Sequence, residues 1–230
     1  MNRTGLPRII FITGTDTGVG KTLLTGLLLL HLRQNGCHAL AMKPFCSGSR
    51  ADTTFLHAVQ NGDLTIDEIT PFFFAEPLAP LVAARKHHRS IRLPQVLRPI
   101  MRVANRCQCL LIEGIGGLLV PLGEGFTVRD LIAELDCEVI VVAPNRLGTI
   151  NHTILTVEAL QRIEILGLKT VLMSSHDGGL SALSNSRILA ELLAPVPVLP
   201  VDFLSGNLLQ TEALKKSGNK IKKTLARILV

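Results

Sequence analysis

The chain alternates short, continuous apolar runs with longer stretches in which apolar residues recur every three to four positions. The short runs predict strands buried on both faces, and the periodic stretches predict helices with one apolar face. Strands are expected at residues 8–13, 39–43, 107–113, 138–143, 169–174 and 196–201. Helices are expected at residues 21–34, 52–59, 93–104, 150–166, 180–193 and 214–228, and an interruption of the last helix at Gly218-Asn219 is left open. The alternation predicts a doubly wound α/β fold, with a mainly parallel sheet of about seven strands covered by helices on both faces.

The composition fits a single folded domain spanning residues 1–230, of which 47% are hydrophobic and 18% charged. A chain of this length buries roughly 70–75% of its unfolded surface, so it needs neither disulfides nor a structural metal. The five cysteines are scattered without zinc-site spacing, and we expect free thiols. No run of 18 uncharged apolar residues and no signal-peptide pattern occurs, which predicts a cytoplasmic protein.

The net charge of +6 is concentrated in two segments. Residues 85–106 carry seven Lys or Arg side chains and residues 213–230 carry six, and neither segment contains an acidic residue. In both, the basic residues alternate with apolar ones at helical spacing, which predicts helices with a solvated basic face. An anion-steering field or an acidic partner is the alternative. Because the chain lacks Trp and Tyr to stack on bases, we expect no nucleic-acid partner, and no membrane partner either.

Residues 14–22 (GTDTGVGKT) lie between a predicted strand and a predicted helix, the context of a phosphate-binding loop. Small residues let backbone N–H groups converge on phosphate oxygens at the start of a helix. Lys21 is then placed to reach the β- and γ-phosphates, and the Thr22 hydroxyl to hold Mg²⁺. Five residues separate Gly14 from Gly20, one more than in the common pattern. The residues expected around the nucleotide phosphates are Asp16, Thr17, Gly18, Val19, Gly20, Lys21, Thr22 and Leu23.

Polar residues also follow two other predicted strands. Lys43 and Ser47 lie in KPFCSG at 43–48, and Glu113 precedes GIGG. Ligands of doubly wound sheets bind beyond the carboxyl ends of the strands, so these residues face the phosphate loop. A carboxylate ending an apolar strand is costly to desolvate without a cation, so Glu113 is a candidate Mg²⁺ ligand beside Asp52 and Thr22. An ordinary exit turn at Lys43 and an N-cap at Asp52 remain open alternatives.

A fourth motif, RLGTINHT at 146–153, follows the next strand. Asn151 lies near the start of the following helix, where it either binds a ligand or caps the helix. His152 is interpreted as structural. No Cys/His or Ser/His/Asp constellation points to covalent catalysis.

Taken in chain order, these motifs resemble the dethiobiotin synthetase family of biotin biosynthesis. The phosphate loop of that family reads GTDTxVGKT, with the same long spacing as residues 14–22. Residues 43–48 match its KPxxSG motif, 113–117 match EGxGG, 147–152 match LGxINH, and 74–77 read FAEP as in the family. The resemblance extends from about residue 8 to about residue 170 and weakens afterwards.

The resemblance implies a P-loop NTPase fold and an ATP- and Mg²⁺-dependent cyclo-ligase. The family converts 7,8-diaminononanoate and CO₂ into the cyclic urea dethiobiotin. One amine captures CO₂ as a carbamate, whose oxygen attacks the γ-phosphate of ATP. The second amine opens the resulting carbamic–phosphoric anhydride, closing the ring and releasing phosphate. Such a reaction needs positioning and charge neutralisation more than covalent participation by the protein.

The resemblance also assigns roles by position. The lysines neutralise the phosphoryl group and the carbamate, and two hydroxyl side chains contact the reacting end of the substrate. The implied catalytic residues are Lys21, Lys43, Thr17 and Ser47. The implied Mg²⁺ ligands are Thr22, Asp52 and Glu113. The substrate carboxylate is met by Gly116 and Asn151, and Thr149 is a further implied substrate-binding residue. Asn151 comes from the second subunit, because the family is a homodimer with active sites at the interface.

One departure concerns the nucleotide base. After the fifth strand the family usually shows an Asn-Asp pair that reads adenine, whereas residues 174–177 read SSHD here. His176 replaces the amide, and we expect His176 and Asp177 to face the base. An amide presents a donor and an acceptor together, whereas a neutral imidazole offers one of each on opposite sides of its ring. We therefore expect a relaxed preference among nucleoside triphosphates.

Two rival functions share this fold class. The cobyrinate amidases carry an additional glutaminase domain, for which 230 residues leave no room. A ParA/MinD-like switch ATPase that binds DNA or membrane carries a Lys five residues before the loop lysine, where this chain has Asp16. The basic C-terminal segment is the one feature that favours the switch.

Overall fold

The computed structural model describes residues 7–176 and 179–230 and has an α/β architecture. Its strands are β1 (Arg8–Gly14), β2 (Ala39–Met42), β3 (Phe45–Ser47), β4 (Phe72–Phe74), β5 (Cys109–Glu113), β6 (Pro121–Gly123), β7 (Phe126–Thr127), β8 (Glu138–Pro144), β9 (Gly167–Met173) and β10 (Val198–Val201). Its helices are α1 (Lys21–Gln34), α2 (Ala51–Val59), α3 (Ile66–Ile69), α4 (Pro80–Lys86), α5 (Leu93–Ala104), α6 (Val128–Ala133), α7 (Thr149–Leu160), α8 (Ala182–Leu192), α9 (Thr211–Lys220) and α10 (Lys222–Leu229).

The central sheet runs in the order β10-β9-β8-β1-β5-β2, and each neighbouring pair is parallel. Consecutive residues of β1 and β5 are buried, which means that both faces of the sheet are covered. The predicted doubly wound α/β fold is confirmed. The sheet has six strands where about seven were expected. The chain leaves this sheet after β2, since the Lys43 N–H donates to the Ile69 carbonyl, Pro44 has no N–H for a ladder, and β3 pairs with β4 in a separate sheet.

The strand order reverses at β1. The chain runs from β1 out to β2, returns through β5, and continues on the other side of β1 with β8, β9 and β10. The register pairs Ile12 with Glu113 on one side and Gly14 with Val142 on the other. A reversal of this kind leaves a crevice at the carboxyl ends of the strands, where doubly wound proteins bind their ligands. The loops after β1, β2, β5 and β8 all begin at this edge.

Two helix predictions need correction. The helix expected at 150–166 ends at Leu160, because residues 161–166 turn back to the sheet and the Leu166 N–H donates to the Cys137 carbonyl at 3.1 Å. The C-terminal stretch forms two helices separated at Ile221, whose φ of −107° and ψ of 21° interrupt the helix. Gly218 and Asn219, where an interruption was left open, lie inside α9.

The two basic segments have different surroundings. In the first, Arg85 pairs with both carboxylate oxygens of Glu124, and Arg106 pairs with Glu68. Helices α9 and α10 carry five exposed cations that form no ion pair with the residues described, 7–176 and 179–230. They are Lys216, Lys220, Lys222, Lys223 and Arg227. The five cysteines are free thiols, as expected. No helix within the described ranges is both long enough and apolar enough for a bilayer.

Candidate active site

Residues 15–20 connect β1 to α1 and form a compact turn. Gly18 and Gly20 have positive φ angles of 73° and 100°, which glycine adopts without steric cost. A Cβ atom at Gly14 would lie 2.8 Å from Cγ2 of Val19, so this position excludes a side chain as well. The turn ends directly at the first residue of α1. This is the backbone arrangement that binds anions at a helix N-terminus.

The Lys21 side chain folds back over this turn. Its Nζ atom donates to the carbonyl oxygens of Asp16 at 2.8 Å and Gly116 at 2.9 Å. Burial lowers the pKa of Lys21 to about 8; Glu113 opposes this shift, and the nearby Lys43 ammonium adds to it. Both hydrogen bonds go to neutral oxygens, which a charged phosphate oxygen replaces favourably. Lys21 is thus placed to meet a phosphate at the loop.

Thr22 and Lys43 converge on the carboxylate of Glu113. Thr22 Oγ1 donates to Oε1 of Glu113 at 2.7 Å, and Lys43 Nζ donates to the same oxygen at 2.6 Å. Lys43 Nζ also donates to Oδ2 of Asp52 at 2.6 Å. Burial alone would lower the pKa of Lys43, but the two carboxylates raise it above its ordinary value. Lys43 is therefore a buried cation shared by two acids from different elements.

The alternatives left open for Asp52 and Asn151 are resolved by the helix ends. The N-cap of α2 is Arg50, and the Asp52 side chain lies in the first turn, where it pairs with Lys43 instead of capping the helix. The N-cap of α7 is Gly148, so Asn151 does not cap that helix. Both polar side chains are thus available for roles other than capping.

Glu113 has one carboxylate oxygen without a hydrogen-bond partner among the residues described. Its Oε2 atom is buried and accepts no hydrogen bond from the described part of the chain, an arrangement that is costly without a cation. With the Thr22 hydroxyl and the Asp52 carboxylate it forms a set of hard oxygen donors, which Mg²⁺ prefers. No group of three or more His, Cys, Asp or Glu side chains suited to a metal occurs in residues 7–176 and 179–230. Two carboxylates nevertheless suffice for Mg²⁺ when phosphate oxygens complete the shell. The residues fit this metal.

The loop after β5 lies against the phosphate loop. Gly116 has a φ of 58°, and a Cβ atom there would lie 2.7 Å from Cγ2 of Val120 and 3.6 Å from Oγ1 of Thr17. Thr17, Gly116 and Lys21 are thus brought together. Ser47 is the last residue of β3, and its buried hydroxyl oxygen has no hydrogen-bond partner among the residues described.

Thr149 and Asn151 lie in the first turn of α7. Thr149 is buried, and its hydroxyl lies 3.4 Å from that of Thr153. The exposed Asn151 side chain makes no hydrogen bond within the described ranges. Neither residue is hydrogen-bonded to Lys43 or Glu113. Gly116 therefore contacts Lys21 at the phosphate loop, whereas Thr149 and Asn151, which are also expected to bind the substrate, form no hydrogen bond with this cluster.

His176 follows β9 at the same edge of the sheet. Its ring packs edge-on against Phe203, which follows β10, with ring centroids 5.8 Å apart and planes at 77°. The end of β9 lies beside the phosphate loop, because a Cβ atom at Gly20 would lie 3.2 Å from Cγ of Met173. Asp177, expected beside His176, lies outside the described residues. Sequence reasoning missed the contact of His176 with Phe203, which lies two residues after the end of β10.

A phosphate-binding turn between the first strand and first helix of a parallel sheet, with a buried acid at the end of the neighbouring strand β5, defines a P-loop nucleotide-binding protein. A family profile described as an AAA domain matches residues 8–200. MinD from Pyrococcus horikoshii, solved with Mg-ADP, superimposes with a TM-score of 0.61 over 97% of this chain and 96% of that one. Its 20% identity shows the fold alone.

Sequence relatives narrow this class. The ATP-dependent dethiobiotin synthetase BioD of Bacillus velezensis is 39% identical over 201 residues, covering 84% of this chain and 85% of the relative. The protein of the same name from Anaeromyxobacter sp. (strain Fw109-5) is 46% identical over 158 residues, covering 67% of this chain and 71% of the relative. The chain belongs to the dethiobiotin synthetase family, as its motifs predicted.

Proposed function

We propose that the chain is an ATP-dependent ligase that closes the ureido ring of dethiobiotin from 7,8-diaminononanoate and CO₂. The observation that carries the proposal is the placement of Lys21 and Lys43 at the phosphate loop, with Lys43 held by the buried carboxylate of Glu113. Membership of the dethiobiotin synthetase family supports it. Two cations at this position suit a reaction in which two anions must meet.

Those anions are the carbamate, formed from one substrate amine and CO₂, and the γ-phosphate of ATP. Lys21 and Lys43 reduce the repulsion between them, which lets a carbamate oxygen attack the γ-phosphorus while ADP leaves. The second amine then attacks the carbonyl carbon of the mixed anhydride and loses a proton, and inorganic phosphate departs as the ring closes. Positioning of the reactants and charge neutralisation supply the catalysis.

Residues 16–23 enclose the phosphates in this proposal, and Thr22, Asp52 and Glu113 hold Mg²⁺. When bound, Mg²⁺ neutralises charge on the β- and γ-phosphate oxygens. The orphaned Oε2 atom of Glu113 supports this assignment. His176 and Asp177 are assigned to the base, and we expect relaxed nucleotide preference.

Thr17 and Ser47 are assigned to the reacting end of the diamine. Gly116 is assigned to its carboxylate together with the partner subunit's Asn151, and Thr149 to substrate binding, in a homodimer that works in the cytoplasm. The turn that carries Asn151 is flanked by two exposed apolar side chains, Leu147 at 86% and Leu155 at 57%. A second copy of the chain would remove this apolar surface from water, which supports the dimer.

A phosphate-release assay with diaminononanoate, bicarbonate and each nucleoside triphosphate, with mass detection of dethiobiotin, tests the proposed function. We expect phosphate release to depend on the diamine and to match dethiobiotin formation one for one. Diamine-independent hydrolysis together with binding to anionic liposomes or duplex DNA at physiological salt would instead identify a switch ATPase. The five exposed cations of α9 and α10, Lys216, Lys220, Lys222, Lys223 and Arg227, are the feature that such binding would use.

A further inference from the structure

Lys43 binds one oxygen of each of the two carboxylates that are assigned to the divalent cation. Its Nζ atom donates to Oε1 of Glu113 and to Oδ2 of Asp52, both at 2.6 Å. Thr22 Oγ1 donates to the same Glu113 oxygen at 2.7 Å. The side chains of Lys43 and Glu113 are 7% and 0% exposed, so water competes little for the bond between them, whereas the Asp52 side chain is 41% exposed. Every side chain assigned to the metal is thus tied to this hydrogen-bonded cluster.

The main chain of Lys43 is fixed while its side chain is long. The Lys43 N–H donates to the Ile69 carbonyl at 2.9 Å, and its own carbonyl accepts from Thr70 Oγ1 at 2.8 Å. Thr70 Oγ1 is in turn 2.7 Å from Oγ1 of Thr53 on α2. A change of partner is therefore confined to the four methylene groups and the ammonium of Lys43, which are flexible about several bonds.

Charge decides when such a change is favourable. Two carboxylates and one ammonium leave the cluster with a single negative charge. A bare divalent cation at these carboxylates would lie near both Lys43 and Lys21, in a site where water screens like charges poorly, so its binding is opposed as long as the Lys43 ammonium stays in place. A cation that arrives with the phosphates of a nucleotide brings the negative charge that both lysines need.

We propose that the Lys43 ammonium and a divalent cation compete for the carboxylates of Glu113 and Asp52, so that the cation–nucleotide complex releases Lys43 toward the substrate. The inference rests on the proposed function for the identity of nucleotide and substrate. It makes Lys43 a sensor of the cation–nucleotide complex as well as a catalytic residue. The diamine then meets a mobile ammonium only after this complex has bound.

Mn²⁺ binding without nucleotide, measured by calorimetry, tests the competition. Lys43→Met removes the ammonium and keeps much of the side-chain volume, and Lys220→Met removes an exposed lysine of α9 as the matched control. We expect Lys43→Met to bind Mn²⁺ at least about tenfold more tightly than the wild type, and Lys220→Met to behave as the wild type. Equal affinities of Lys43→Met and the wild type would overturn the proposal.

If Lys43→Met does not fold, lysine side-chain NMR of the wild-type protein gives the answer, with Lys43→Arg used to assign the Lys43 signals. Mg·ADP should shift the signals of Lys43, whereas ADP with EDTA should leave them near their original positions. Equal shifts in both, or none in either, would overturn the competition. Neither experiment contains diamine, so the competition can hold even if the protein does not form dethiobiotin. Failure of the wild type to bind Mg·ADP would contradict the proposed function as well.

Discussion

Asn185 donates a hydrogen bond from Nδ2 to Oδ1 of Asn145 at 3.1 Å, and both amides are buried. The bond joins α8 to the loop that follows β8. Asn185 Nδ2 also donates to the Arg146 carbonyl, and Asn145 Nδ2 donates to the Ala182 carbonyl, each at 3.2 Å. This loop leads directly into the first turn of α7, which carries Asn151. The two amides therefore fix the segment that we assign to substrate binding.

Replacing Asn185 by Leu keeps the side-chain volume and removes the donor. We expect the free energy of unfolding to fall by about 1–3 kcal/mol, because the buried Asn145 oxygen loses its partner. The KM for the diamine should rise several-fold while kcat changes less, since the loop loosens around a binding residue. Urea unfolding and steady-state kinetics measure both. Ser184→Ala, an exposed change on the same helix, is the control, and an unchanged KM in Asn185→Leu would contradict the positioning role.

The imidazole of His176 should make the enzyme tolerant of different bases. An imidazole cannot match the paired donor and acceptor of adenine as an amide does. We therefore expect the kcat/KM values for ATP, CTP and GTP to lie within about tenfold of one another, which corresponds to roughly one hydrogen bond. His176→Asn should raise the preference for ATP. Competition assays with mixed nucleotides measure the ratios, and a strong ATP preference of the wild type would refute this expectation.

The fold was largely predictable because the strands are continuous apolar runs and α1 has clear ends. Its start is set by Lys21 after the loop glycines, and its end by Asn35 and Gly36. The end of α7 was mispredicted, because Ile163 and Ile165 extend the helical pattern but pack on the core from a loop. Periodicity indicates which side chains are buried, but it does not indicate where a helix ends. The turn after Leu160 is set by the position at which β9 begins.

The site was predictable in outline because parallel strands deliver their carboxyl ends to one edge. That rule places Lys43 and Glu113 near the phosphate loop, although they are 70 positions apart. It does not show that Lys43 contacts both Glu113 and Asp52, since spacing in sequence carries no information on side-chain distances across the crevice. The Asn145–Asn185 pair was missed for the same reason, because its members are 40 positions apart.

Glu113→Gln should separate the charge of this residue from its shape. The amide keeps the side-chain volume but no longer neutralises Lys43, so we expect kcat/KM to fall at least about 100-fold, a typical effect of losing one electrostatic contact in a site. Glu124→Gln, at the exposed pair with Arg85, should change neither rate nor stability measurably. A Glu113→Gln variant with near wild-type turnover would contradict the role assigned to Glu113.

Gly26 is a packing position inside α1. A Cβ atom there would lie 2.7 Å from Cε1 of Phe55 and 3.2 Å from Cδ2 of Leu214. Alanine improves helix propensity by about 1 kcal/mol, but overpacking costs about 1–3 kcal/mol, so Gly26→Ala should lower the free energy of unfolding. A Cβ atom at Gly167 would have Cγ of Glu138 as its nearest neighbour, at 3.7 Å, so Gly167→Ala should leave the free energy of unfolding unchanged. Urea unfolding compares the two, and a stabilised Gly26→Ala would disprove the close packing.

Glu76 gives a pH dependence with a defined sign. Its carboxylate accepts from His87 at 3.0 Å and from Lys86 at 2.9 Å, and these bonds lower its pKa to about 2. Because the folded pKa lies below the unfolded one, the stabilisation is present above the ordinary pKa of 4.5 and is lost as the pH falls toward 2. Carboxyl ¹³C NMR titration should find Glu76 ionised at pH 3 in the wild type. His87→Ala should move its midpoint upward, and a wild-type midpoint near 4.5 would show that these bonds do not hold in solution.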